Sequence, residues 1–297
     1  MLAIGFWNVD KKVSSVRHIA ALLKSLEISA ALSEPESDIL FCVGEPGDIK
    51  GSQITDAMVE IGCNVTKWWS QPSGITKKFL CLSNIPRSTV TSLLEIEAGW
   101  PLRLVRTAVL VAPTAYHVWF VHLGSPHATW QPNVVGQHEG GRLARACQEL
   151  EETTGIPDSI VIGDFNMDPY TEAMIDPRCV GAVMCRQIAE RLPIRSFGPQ
   201  GFPKSPYPVF YNPMWNLLGD RTDGNQPGSF YNGGDNSDAA TWHAIDQALI
   251  RPGLIKSLPK GSPKILVHTG QSDLLTENGI IINDISDHLP LVISLEI

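Results

Sequence analysis

Short apolar runs of strand length recur along this chain, and most of them end on a carboxylate, an amide or an imidazole. Residues 2–7 stop at Asn8, Asp38–Val43 leads through Gly44 to Glu45, and Ser159–Gly163 leads to Asp164 and Asn166. Apolar runs of four to eight residues bounded by turn formers read as buried strands. A polar residue at the end of such a strand is handed to a loop on a rigid sheet, where sites are usually built. Between the runs, Val16, Ile19, Ala20, Leu23 and Leu26 repeat at helical spacing, as do Ile54, Ala57, Met58 and Ile61, then Leu143, Ala146, Cys147 and Leu150. These stripes predict amphipathic helices, the last ending near Gly155 and Pro157. Val90–Glu97, Leu104–Ala112 and Tyr116–Leu123 read as successive strands, joined so tightly at Gly99 and Pro101 and at Pro113 and Thr114 that antiparallel neighbours are favoured. Phe79–Ser83, Ala244–Ile250, Lys264–His268 and Leu289–Glu296 complete the predicted strands.

Composition narrows what such a chain can be. Its 297 residues, 43% of them hydrophobic, suffice for a substantial core. A charged share of 18% and a net charge of −8, without blocks of like charge, argue against disorder and against a polybasic tail for nucleic acid or membrane. The six cysteines form no Cys-x-x-Cys pair, and Cys42, Cys81 and Cys147 fall on apolar faces, so they read as buried thiols. No apolar run approaches the roughly 18 residues of a membrane span. The first residues lack a basic region and reach Asn8 and Asp10 early, unlike a signal peptide, and the expectation is a soluble, cytoplasmic protein. Pro193–Gly234 differs in character, being rich in Pro, Gly and aromatics, and is predicted to be a long ordered loop.

The polar residues at the strand ends are of one chemical kind. His122 lies in Trp119-Phe120-Val121-His122-Leu123, Asp246 in Trp242-His243-Ala244-Ile245-Asp246, and Asp287-His288 precedes Leu289-Pro290-Leu291. Each alone has an ordinary reading. Gly163-Asp164-Phe165-Asn166 fits an Asx turn, Glu45 before Pro46-Gly47 fits turn punctuation, and His122 or His288 fits a structural histidine. Together, hard oxygen donors at the ends of apolar strands suit a magnesium-type cation, which takes one or two carboxylates and keeps waters and substrate oxygens. A Cys/His zinc site has no support.

Trp7-Asn8-Val9-Asp10, Glu45, Val121-His122-Leu123, Gly163-Asp164-Phe165-Asn166, Ile245-Asp246-Gln247 and Ser286-Asp287-His288-Leu289-Pro290 together resemble, in matching order, the endonuclease/exonuclease/phosphatase superfamily. The resemblance covers nearly the whole chain. It implies an α/β (α+β) fold: two packed, mostly antiparallel sheets flanked by helices, a four-layer αββα sandwich formed by 1–297 as one catalytic domain. It also implies Mg2+ or Mn2+ held by Glu45, with Asn8 and Asp287 near it. His288, oriented by Asp246, would act as general base or stabilise the transferring phosphoryl group. Asp164 would align or deprotonate the attacking water, Asn166 and Asn8 would donate hydrogen bonds to phosphate oxygens, and His122 would stabilise the developing charge or the leaving oxygen.

Three departures bear on this pattern. Glu45 sits in Val-Gly-Glu-Pro-Gly where the family usually shows a Leu-Gln-Glu type sequence, which makes Asp48 the alternative ligand, although Glu45 ends the strand directly. His122 stands where abasic-site endonucleases place a tyrosine, closer to the deoxyribonuclease and sphingomyelinase pattern. Asp246 is followed by Gln-Ala instead of the common aromatic or basic residue. The implied activity is divalent-metal-dependent phosphodiester hydrolysis, foremost of a nucleic acid. The alternatives are a phosphatase or phospholipase-type hydrolase of an inositol, lipid or other small phosphate ester, and a non-catalytic scaffold on the same fold. A small-ester site would want several cations, for which Lys77-Lys78, Lys204 and Arg221 are the candidates; Arg142 and Arg145 read as a solvated helix face. Tyr207, Tyr211, Trp215 and Tyr231, like Trp68-Trp69 and Trp130, either stack bases or form local cores.

Overall fold

The computed structural model describes residues 1–33, 37–63, 68–70, 78–86, 90–98, 102–111, 114–125, 132–200, 204–218, 226–233 and 238–297. In chain order the strands are β1 (Leu2–Asn8), β2 (Asp38–Gly44), β3 (Trp68–Ser70), β4 (Phe79–Ser83), β5 (Val90–Ala98), β6 (Leu102–Val111), β7 (Thr114–His122), β8 (Ser159–Asp164), β9 (Ala182–Val183), β10 (Ile194–Phe197), β11 (Ser205–Pro208), β12 (Phe210–Tyr211), β13 (Phe230–Tyr231), β14 (Trp242–His243), β15 (Asp246–Ile250), β16 (Lys264–Ile265) and β17 (Leu291–Leu295). The helices are α1 (Ser15–Ser33), α2 (Gly51–Glu60), α3 (Pro132–Thr154), α4 (Glu172–Ile175) and α5 (Arg186–Arg191). They form two compact units, each drawing on separated stretches of sequence.

The first unit comprises Met1–Thr91, Gly219–His243 and Ser257–Ile297. Its main sheet runs β16-β17-β1-β2-β4-β3, and β1 and β2 are parallel, bringing Asn8 opposite Gly44. Every residue of β1 is buried, as the continuous apolar run requires of a strand covered on both faces. One face, Ala3, Trp7, Phe41, Val43, Leu80 and Leu82, packs on Ile19, Leu23, Ile54 and Met58 of the two helices. Gly5 makes room for this layer, because a Cβ there would fall 2.4 Å from the Phe41 ring.

The second unit comprises Ser92–Leu218 and Ala244–Lys256, with a sheet ordered β5-β6-β7-β8-β15-β12-β9. β6 and β7 pair antiparallel, as their tight join predicts, whereas β7 and β8 are parallel because the long helix α3 crosses between them. Leu143, Cys147 and Leu150 of α3 pack on Trp119, Val121, Val161 and Leu249. Both large sheets are therefore mixed, with antiparallel pairs in the majority.

The predicted 193–234 loop is more regular than its composition suggests. It contains the antiparallel pair β10 and β11, strand β12 between β15 and β9 in the second sheet, a 3-10 turn at Pro213–Leu217 and strand β13. Arg221 and Lys77 lie outside the described residues, as does Trp130, and the same holds for the side chains of Trp68 and Trp69.

Candidate active site

In the second unit, three strands set three of the expected groups in one row. His122 on β7 is in register with Asp164 on β8, and Asp164 with Asp246 on β15. Asp164 and Asp246 are both buried, and their carboxylate oxygens lie within 4.8 Å of one another. His122 Nε2 is 4.0 Å from Asp164 Oδ2. Carboxylate oxygens gathered this closely form a donor set that a hard cation suits.

The Gly163-Asp164-Phe165-Asn166 segment folds as its residue types dictate. Gly163 adopts φ +150, and a Cβ there would fall 2.1 Å from the Val121 carbonyl oxygen, so only glycine lets β7 and β8 approach this closely. Asp164 Oδ1 accepts from the Asn166 amide at 2.8 Å, the Asx turn expected of the sequence, with Asn166 itself at φ +53. Asn166 Nδ2 donates to the Leu123 carbonyl at 2.9 Å, which engages one of its two side-chain donors and ties this turn to the strand end of His122.

In the first unit, Asn8 and Glu45 leave the ends of the parallel pair β1 and β2. Asn8 is buried, and Ser286 Oγ donates to its carbonyl at 2.7 Å; the His288 amide in turn donates to Ser286 Oγ at 3.0 Å. Trp7 Nε1 donates to the His288 carbonyl at 2.8 Å, so the Ser286-Asp287-His288 segment is fastened to the end of β1. Asp287 Oδ1 lies 3.9 Å from His288 Nε2. Glu45 has φ +46, an unfavourable conformation for a residue with a side chain, and is held there by its amide to the Lys78 carbonyl and by the Lys11 amide to its own carbonyl, each at 2.8 Å.

Matches to known proteins come through structure alone. No family model matches the chain, and no curated protein matches its sequence. A truncated TDP2 of Caenorhabditis elegans superposes with TM-score 0.54 at 10% identity, over 99% of this chain and 96% of that one. An endonuclease/exonuclease/phosphatase family protein from Leptotrichia buccalis gives 0.52 at 13% identity over the whole of both chains. The chain has the endonuclease/exonuclease/phosphatase fold. Sphingomyelinase C from Streptomyces griseocarneus shares that fold, at TM-score 0.52 and 13% identity over 99% of each chain.

Against the endonuclease/exonuclease/phosphatase pattern, several groups at this site escaped the sequence reading. The Glu45 carboxylate is bound by the Lys78 ammonium and lies 3.3 Å from that of Lys11, so its partners are lysines as well as any cation. The sequence marks Lys78 only for contact with a small phosphate ester. Glu139 on α3 is buried, and its Oε2 accepts from the Gly124 amide at 2.7 Å, pinning the loop after His122. Asp168 Oδ1 accepts from the Ala244 amide at 2.9 Å, while the Phe165 amide donates to Ile245 at 2.8 Å; these bonds set the entry into β15, which starts at Asp246 and not at Ala244. Phe230 packs on His288, with ring centroids 5.0 Å apart. An acidic residue three positions before a turn, or an aromatic in a loop, carries no mark in sequence of the distant backbone it will hold.

Proposed function

We propose that this chain is a divalent-metal-dependent phosphodiesterase, one catalytic domain that hydrolyses nucleic acid phosphodiester bonds by in-line attack of water. The observation that carries the reading is the row His122, Asp164, Asp246: two buried carboxylates within 4.8 Å of one another and an imidazole 4.0 Å from one of them. Carboxylates and an imidazole set side by side can move a proton and hold a cation at one place. In this reading Asp164 aligns or deprotonates the attacking water, His288 acts as general base or stabilises the transferring phosphoryl group, and His122 and Asn166 meet the phosphate oxygens.

A magnesium-type ion suits the donors of the first unit, which are oxygens: the Glu45 and Asp287 carboxylates and the amide of Asn8. Glu45 is already seated against positive charge, at a backbone conformation that the fold enforces. Bound there, the ion neutralises charge on the phosphate. The six cysteines are free, five of them buried, in keeping with a reducing cytoplasmic setting. No helix among the described residues is long and apolar enough to cross a membrane.

The test is hydrolysis of plasmid DNA, single-stranded DNA and RNA with Mg2+ or Mn2+, against a chelator control and His288→Ala. Activity that survives either control rejects the mechanism. One observation favours a second substrate class: Lys11 and Lys78 beside Glu45 bring two ammonium groups to the place where a small phosphate ester would need them. Release of inorganic phosphate from monoesters, with intact polymers, would select that reading.

A further inference from the structure

Residues 228–233 and 238–243 form the two arms of a hairpin whose edge lies on His288, a histidine to which the proposed function gives a catalytic role. β13 and β14 pair Phe230 with His243 and Tyr231 with Trp242, and the amides of Ser229 and Asn232 donate to His243 at 2.9 Å and Thr241 at 2.7 Å. Asp238 ties the two arms together. Its Oδ2 accepts from His243 Nε2 at 2.7 Å and from Asn232 Nδ2 at 3.2 Å, and its Oδ1 from the Ala240 amide at 3.0 Å. The hydrogen bond from His243 brings the Asp238 carboxyl down to about 2. Gly228 permits the tight crossing, since a Cβ there would sit 2.4 Å from the His243 carbonyl oxygen.

The outer edge of the hairpin meets His288 in three ways. Phe230 and His288 form an antiparallel bridge, the Leu289 amide donates to the Ser229 carbonyl at 2.7 Å, and the half-buried Phe230 ring lies 5.0 Å from the imidazole at a 45° tilt. The His288 backbone is already fixed by Trp7 and Ser286. The imidazole turns about its terminal torsion, which is broad for histidine, and the Phe230 ring packed on it narrows that range. We propose that Phe230 is a positioning residue for His288, the hairpin serving to hold the phenyl ring against the imidazole. Productive geometry tolerates only about 10–20° of ring rotation, and a misplacement of about 1 Å costs on the order of 10²-fold in rate.

This inference rests on the phosphodiesterase reading only for its catalytic consequence. The experiment is imidazole carbon relaxation of His288 by NMR in metal-free protein at fixed pH, beside steady-state kinetics, for Phe230→Leu, Phe230→Tyr and Asp238→Ala. Phe230→Leu is expected to free the ring and to lower kcat by 10-fold or more with KM changed less than twofold. Phe230→Tyr keeps a ring in place and retains both signatures, and Asp238→Ala loosens the imidazole to a lesser degree. Unchanged His288 relaxation in Phe230→Leu overturns the inference whatever the kinetics do. A freed imidazole in a protein inert toward every phosphate ester upholds the positioning and removes the hydrolase reading.

Discussion

The Lys78 ammonium sits on the carboxylate of Glu45, the residue that follows β2 and is expected to hold a cation. Both side chains are largely buried, at 19% and 12% exposure, so their attraction is only partly screened, and a divalent ion at Glu45 must compete with it. Lys78→Met is expected to tighten Mg2+ or Mn2+ binding by roughly tenfold, about 1.4 kcal/mol, in calorimetric titration. Lys11 is 65% exposed and 3.3 Å away, so Lys11→Met is expected to change affinity less than threefold. Weaker metal binding in Lys78→Met would show that the lysine organises the site instead of competing for it.

The buried pair Asp164 and Asp246 predicts opposite effects on stability and rate. Asp164→Asn keeps an oxygen to accept the Asn166 amide but removes one of two charges within 4.8 Å. Relief of like-charge repulsion is expected to leave the melting temperature unchanged or raised, while loss of the base lowers kcat by about 10²–10⁴-fold. A variant that melts well below the parent at neutral pH would mean that Asp164 is held as a structural anion.

What could be read from sequence follows how local the cause is. Strands β2, β4, β7 and β8 and helices α1, α2 and α3 announce themselves by periodicity, because burial on one or both faces is a property of neighbouring residues. The Gly163-Asp164-Phe165-Asn166 turn is likewise local, with glycine, an Asx acceptor and a left-handed asparagine within four positions. Two kinds of feature escaped. Composition alone made 193–234 a loop, although β12 needs only two residues because β9 and β15 lie on either side of it. The contacts of Glu45 with Lys78, Glu139 with Gly124 and Phe230 with His288 join residues 15–58 positions apart with no spacing rule between them.

Glu139 predicts the direction of a pH effect. Burial lifts its carboxyl above the ordinary range, opposed by the Gly124 amide and by Arg142. A carboxyl raised on folding contributes stability that is complete below its unfolded value, near 4.5, and is lost as pH rises through the folded value. Glu139→Gln still offers an oxygen to Gly124 and has no charge to desolvate. Its melting temperature is therefore expected to match the parent near pH 4.5 and to equal or exceed it at pH 8, read by thermal unfolding at both. A variant less stable at pH 8 than at pH 4.5 by the same margin as the parent would place that pH dependence elsewhere.

Gly163 and Gly155 both sit at positive φ, +150 and +69, and separate strain from crowding. At Gly155 a Cβ would meet nothing within 4 Å, so Gly155→Ala carries only the backbone cost of a left-handed alanine, about 1 kcal/mol. At Gly163 the same methyl would fall 2.1 Å from the Val121 oxygen and 2.8 Å from its nitrogen, both in the backbone of the adjoining strand and unable to rotate away. Gly163→Ala must therefore spread β7 from β8, at roughly 3 kcal/mol for the overpacking together with the strained φ. Because His122 and Asp164 end those two strands and face each other in register, the spreading also parts the imidazole from the carboxylate. Urea unfolding should show a lower midpoint at unchanged slope for both variants, larger for Gly163→Ala. Under conditions where both remain folded, only Gly163→Ala should lose activity, and equal losses in the two would mean that the close approach of these strands is not what aligns the pair.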